Sequence, residues 1–125
     1  MKYGIYYAYW EKEWNGDYKY YIDKISKLGF DILEISCGAF SDYYTKDQEL
    51  IDIGKYAKEK GVTLTAGYGP HFNESLSSSE PNTQKQAISF WKETLRKLKL
   101  MDIHIVGGAL YGYWPVDYSK PFDKR

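Results

Sequence analysis

The order of its segments constrains this chain more than any other feature. Short apolar stretches of strand character alternate with amphipathic helical ones at a spacing of about 30 to 40 residues. The first stretch, residues 2–8, holds Ile5, Tyr6 and Tyr7, which favour strands. Residues 31–36 read Asp-Ile-Leu-Glu-Ile-Ser, 62–66 Val-Thr-Leu-Thr-Ala and 103–106 Ile-His-Ile-Val. Between them lie three helical patterns. Residues 17–28 carry Tyr18, Tyr21, Ile22, Ile25 and Leu28 at i, i+3, i+4 spacing. Residues 46–60 open with Thr45 as N-cap and Gln48 in capping-box position. Residues 81–100 place Pro81 in the first turn and align Ala87, Phe90, Trp91, Leu95 and Leu98. Gly29 and Gly61 are the helix stops, and Gly107-Gly108 ends the last strand.

The resulting order, β-α-β-α-β-α-β, predicts an α/β fold with parallel strands and right-handed crossovers. An open doubly wound sheet and part of a (β/α)₈ barrel both satisfy it. A whole barrel takes roughly 250 residues, and this chain has 125. Four strands cannot close a barrel, so in that architecture residues 1–125 form a single half-barrel unit. Residues 109–125, with Pro115 and Pro121, lack periodicity and read as an irregular tail.

Composition excludes several classes. Seventeen basic and 17 acidic residues cancel, leaving no basic footprint for nucleic acid. No apolar run is long enough to span a bilayer, and no secretory h-region follows Met1. Cys37 is the sole cysteine, so an internal disulfide is impossible and a reducing cytoplasm is the expected location. The unusual number is the 18% aromatic content, 14 Tyr among it, which suggests a pocket or an interface.

In either architecture ligands bind beyond the C-terminal ends of the strands. There stand Tyr9, Trp10 and Trp14, then Cys37, Gly38 and Phe40, then 67–71, then 107–114. Rings stack on the apolar faces of sugars and glycines admit a ligand to the backbone. The rim therefore fits a small polyol, or equally a set of rings that fill the barrel mouth or a subunit interface. Gly67-Tyr68-Gly69 lacks the third glycine of a dinucleotide fingerprint. The two histidines, His71 and His104, have no metal-ligand spacing, and His104 reads as a structural residue inside the fourth strand. Cys37 has no partnered base and reads as a small packed thiol. Glu34 reads as a structural hydrogen-bond acceptor. No paired acid and base is visible.

Four strings carry a resemblance: residues 1–10 (Met-Lys-Tyr-Gly-Ile-Tyr-Tyr-Ala-Tyr-Trp), 27–34 (Lys-Leu-Gly-Phe-Asp-Ile-Leu-Glu), 64–70 (Leu-Thr-Ala-Gly-Tyr-Gly-Pro) and 107–118 (Gly-Gly-Ala-Leu-Tyr-Gly-Tyr-Trp-Pro-Val-Asp-Tyr). Together they resemble the ketose 3-epimerases of the D-tagatose 3-epimerase family, D-psicose branch, over the whole chain. The resemblance implies the N-terminal half of a (β/α)₈ barrel of the xylose-isomerase-like superfamily. It implies interconversion of ketohexoses at C3, D-fructose and D-psicose among them, with Mn²⁺ or Co²⁺. Residue by residue it implies substrate contacts at Tyr6, Trp14, Gly67, Ala109 and Trp114. The family's metal ligands and both proton-transferring glutamates lie on later strands, so no catalytic residue and no bound metal are expected within these 125 residues. Half a parallel barrel leaves two bare strand edges, so the expected partner is the C-terminal half-barrel or another copy of this chain. The alternative to enzymatic function is an inactive, self-associating half-barrel.

Overall fold

The computed structural model describes residues 1–14, 16–38, 40 and 44–113. Four parallel strands pair in sequential order: β1 (Gly4–Tyr6), β2 (Ile32–Ser36), β3 (Thr63–Gly67) and β4 (Val106–Gly107). Helices α1 (Tyr18–Leu28), α2 (Asp47–Glu59) and α3 (Pro81–Leu100) make the crossovers. A doubly wound sheet reverses its strand order at a switch point. This sheet has no reversal, and α1 packs on α2 and α2 on α3. That is the arrangement of consecutive units in a barrel.

Period-2 alternation explains which face is buried. Leu33, Ile35 and Ala66 point at the helices and have no exposed surface. They meet Ile22 and Ile25 of α1, Leu50 and Ile53 of α2 and Leu98 of α3 in one core. Gly54 lets α2 approach the end of α3, because a Cβ there would fall 2.8 Å from the Met101 carbonyl oxygen.

The three crossover helices end in the same way. A left-handed residue closes each one, and the next residue donates its N–H back to the helix, which is the Schellman arrangement. Gly29 has φ +82° and is followed by the bond from Phe30 N–H to the Ile25 carbonyl, 3.0 Å. Gly61 has φ +71° and precedes the Val62 to Ala57 bond, 2.9 Å. Asp102 has φ +60° and precedes the Ile103 to Leu98 bond, 3.0 Å. The third stop was not expected from sequence, and it shifts the fourth strand. Ile103 closes the end of α3 and is buried there. β4 consequently begins at Val106 rather than at 103. His104, expected inside the strand, is exposed instead and pairs with Asp102, Nε2 to Oδ1 2.8 Å.

Three further expectations are corrected. β1 stops at Tyr6 because Tyr7–Tyr9 coil into a 3₁₀ turn that carries the Tyr7 ring into the core. Lys46, not Thr45, caps α2, and the Gln48 amide donates to Asp52 at 2.8 Å instead of closing a capping box. On α3 the buried stripe is Ala87, Trp91, Thr94 and Leu98, while Leu95 is exposed. Asp17 caps α1 by accepting from the N–H groups of Lys19 (3.0 Å) and Tyr20 (3.3 Å).

Candidate functional site

Parallel register carries side chains of one face across the sheet in rows. Tyr6, Glu34 and Thr65 form one row, and Ser36, Gly67 and Gly107 form the next, nearer the C-terminal ends. These rows point away from the helices, into what would be the interior of a barrel. The neighbouring residues of the same strands, Ile5, Leu33, Ile35 and Leu64, point the other way.

Tyr6 stands half-buried at the end of β1. Its ring lies 5.2 Å from that of Tyr7 and 6.2 Å from that of Trp14, centre to centre. Burial raises the pKa of its hydroxyl, partly offset by a hydrogen bond from the Ser36 side chain and reinforced by the nearby Glu34 charge. Trp14 is largely exposed, yet its loop is tied down: the Tyr7 hydroxyl donates to the Trp14 carbonyl. The structure thus brings Tyr6 and Trp14 together over the first strand end.

Gly67 ends β3, and a Cβ there would sit 2.9 Å from Glu34 Oε1. Its lack of a side chain makes room for a carboxylate of the same chain. Gly107, its neighbour in the row, faces open space. Ala109 lies two residues beyond β4 in a turn, where its carbonyl accepts the Gly112 N–H at 3.4 Å. The approach to that turn is fixed by Gly108, which has φ +103° and would collide with the Tyr68 carbonyl if it carried a Cβ. Trp114 lies outside the described residues, as does most of the tail expected over 109–125.

Most of the aromatic excess does another job. Tyr7, Tyr18 and Tyr21 are buried and meet edge to face at 5.3 to 5.8 Å. Tyr44 stacks on Tyr18 at 4.9 Å and donates to the Gly16 carbonyl at 2.8 Å. Trp10 stacks on Tyr21, with the Lys24 ammonium 4.4 Å above it. These rings bind the loop after β1 to α1. Burial pushes the Tyr7 hydroxyl up to about 12 and the Tyr18 hydroxyl further, and Tyr18 donates to the Ser36 carbonyl at 3.0 Å. Beyond β3, Tyr68 stacks on Phe90 at 5.4 Å and donates to Glu74 at 2.6 Å.

Cys37 is buried and its thiol is pushed up to about 12 by desolvation, which rules out an activated nucleophile. Among the described residues no group of three or more His, Cys, Asp or Glu side chains is placed to hold a metal ion. A separate cleft of about 240 Å³ lies near the N-termini of α1 and α2, lined by Asp17, Lys19, Tyr44, Glu49, Asp52 and Ile53, and shares none of the inner-face residues.

Sequential parallel strands, helices on one side and polar rows opening at the C-terminal strand ends define half of a (β/α)₈ barrel with rings and glycines along its rim. Along its whole length the chain is similar to D-psicose 3-epimerases, with 59% identity to that of Enterocloster bolteae and 50% to that of Ruminiclostridium cellulolyticum over 125 residues. It spans 42% of the length of each. Among solved structures, D-psicose 3-epimerase of Clostridium cellulolyticum H10 with D-tagatose superposes at TM-score 0.91 and 49% identity, over 99% of this chain and 42% of that one. A D-psicose 3-epimerase in the presence of D-fructose gives 0.89 and 47% over the same shares. A Methylomonas D-allulose 3-epimerase at 17% identity and TM-score 0.77 shares the fold. No family model matches the chain.

Proposed function

We propose that this chain supplies the aromatic and glycine-lined side of the sugar pocket of a ketohexose 3-epimerase acting on D-fructose and D-psicose. The observation that carries the reading is the joint one of 59% identity over 125 residues and a superposition at TM-score 0.91 over 99% of the chain with such enzymes. Tyr6 and Trp14 form a wall against which a sugar ring face packs. Gly67 and Ala109 are contacts farther round the rim, and Trp114, outside the described residues, is the remaining contact that the resemblance implies. The rings exclude water, and the inner-face hydroxyls and carboxylate orient the ketose. Mn²⁺ or Co²⁺ belongs to the complete enzyme and, when bound, would supply electrophilic assistance to proton exchange at C3. The present residues bind and orient.

We place residues 1–125 in a single half-barrel unit, in the cytoplasm, a location supported by the lone, buried Cys37. No helix among the described residues is long and apolar enough to cross a membrane. The partner is the complementary half-barrel, since β1 and β4 each have one sheet neighbour only among the described strands. Those same edges favour a second reading, an inactive half-barrel that pairs with its own copy.

One experiment separates the two. Conversion of D-fructose to D-psicose is measured with Mn²⁺ for the chain alone and mixed with the remaining stretch of a D-psicose 3-epimerase, with the mass of each species. Turnover in the mixture alone supports the first reading. A dimer of this chain with no turnover in either sample supports the second.

A further inference from the structure

Glu34 has surroundings that its role as a structural acceptor does not explain. It is the one carboxylate among the described strand residues of the inner face. It is half-buried, and no Lys, Arg or His of the described residues pairs with it. Its single hydrogen bond among the described residues comes from the Thr65 hydroxyl at 3.4 Å, a long contact. A carboxylate offers about four acceptor positions, and one long contact leaves most of them for other donors. Gly67 leaves room for the Glu34 carboxylate to lie against the backbone of β3, Gly107 beyond it faces open space, and Tyr6 stands next to Glu34 in the same row.

We propose that Glu34 is a hydroxyl-binding subsite for a neutral polyol, accepting hydrogen bonds from one or two sugar hydroxyls next to the Tyr6 ring. The assignment rests on the ketohexose reading above and adds a residue to it. A carboxylate suits this task because it accepts from hydroxyls strongly and repels anionic analogues such as sugar phosphates. Tyr6 supplies the apolar contact, Thr65 holds the polar side of the row with Ser36 in the row beyond it, Gly67 seats the carboxylate, and Gly107 leaves the neighbouring space open.

The test uses ligand-observed NMR with D-fructose and its monodeoxy analogues. It is run on the chain alone and on its mixture with the remaining stretch of a D-psicose 3-epimerase. Glu34→Gln and Glu34→Ala are compared with the unsubstituted chain, and near-UV circular dichroism checks that each is folded. Loss of a charge-assisted hydrogen bond should weaken D-fructose binding about tenfold in Glu34→Ala, with a smaller loss in Glu34→Gln, which keeps one acceptor oxygen. One deoxy analogue should bind the unsubstituted chain more weakly than D-fructose yet bind Glu34→Ala equally well, because the hydroxyl it lacks is the one Glu34 receives. A purely structural role would not produce that coupling. Should Glu34→Ala fail to fold, the same comparison in Glu34→Gln decides. Unchanged D-fructose binding in a folded variant overturns the proposal and leaves the ketohexose reading standing. Absence of D-fructose binding by the unsubstituted chain, alone and in the mixture, overturns that reading and the proposal with it.

Discussion

The two faces of this sheet are built from alternate residues of the same strands and obey different rules. The helix side carries Ile5, Leu33, Ile35, Leu64 and Ala66, closed against three helices. The inner side carries Gly4, Ile32 and Thr63 at its start and Tyr6, Glu34, Thr65, Ser36 and Gly67 toward the C-terminal strand ends, mostly small or polar and partly open at Tyr6 and Glu34. A shift of one residue in register would exchange the two sets. The apolar set accordingly fixes the register, and the inner set is left free to be chosen for chemistry. Stability and function are thus separable at single-residue resolution in β2 and β3.

The largest effect should come from the helix side. Leu33→Ala removes a side chain with no exposed surface and leaves a cavity, which should cost about 2–5 kcal/mol in urea unfolding. Its chain neighbour on the other face, Glu34, should tolerate Gln at well under that cost. Equal losses at Leu33 and Glu34 would erase the distinction between the faces.

Alkaline pH probes the same contrast through titration. The Cys37 thiol, ordinarily near 9.0, and the Tyr7 hydroxyl, ordinarily near 10.0, are both held up to about 12 by burial, and Tyr18 is shifted in the same direction. Each group keeps its proton in the folded state at pH values where the unfolded chain has lost it. Their contribution is therefore complete below about pH 9 and declines as pH climbs toward about 12, at most about 1.4 kcal/mol per pH unit for each group. The melting temperature should be level through neutrality and fall above pH 9. Cys37→Ala should delay the onset of that fall. A curve already falling at pH 7 would contradict the burial of these groups.

A smaller effect connects Gly67 to Glu34. An added methyl at Gly67 must displace the Glu34 carboxylate, so Gly67→Ala should cost about 1 kcal/mol, and much less in a Glu34→Ala background. Additive losses in the double-mutant cycle would mean that Gly67 is required for some other reason.

Much of the architecture was legible because period and punctuation agree. Asp17, Gly29, Gly61 and Pro81 fall where caps and stops belong, and α3 begins and ends at the expected residues. The alternation in 31–36 already separates Leu33 and Ile35 from Glu34 and Ser36, and this signal could have flagged Glu34 as an inner-face group. Two things were hidden by tertiary contacts. β1 shortens because Tyr7 is drawn into a ring cluster assembled from residues as distant as Tyr44. The aromatic content points to a pocket or an interface, while the cluster of Tyr7, Trp10, Tyr18, Tyr21 and Tyr44 ties the loop after β1 to α1. The proposed contacts Tyr6 and Trp14 do meet, but their pairing goes with the loop tie from Tyr7 to Trp14, which no spacing rule encodes.

The third helix stop gives the smallest effect and tests the reading of helix ends. Gly29 and Gly61 occupy their left-handed positions without strain, while Asp102 adopts φ +60° with a side chain. Asp tolerates this conformation better than most residues, though at some cost relative to Gly. Asp102→Gly relieves that strain and gives up only an exposed pair with His104. It also loosens the unfolded chain, an opposing effect of about 0.4–1 kcal/mol. The balance should be a stabilisation of no more than about 0.5 kcal/mol, whereas Asp102→Val should destabilise by more than that, because a β-branched residue resists the left-handed region. Urea titration of both variants checks the order. If Val is tolerated as well as Gly, the end of α3 is not held by a left-handed residue, and the displacement of β4 to Val106 needs another cause.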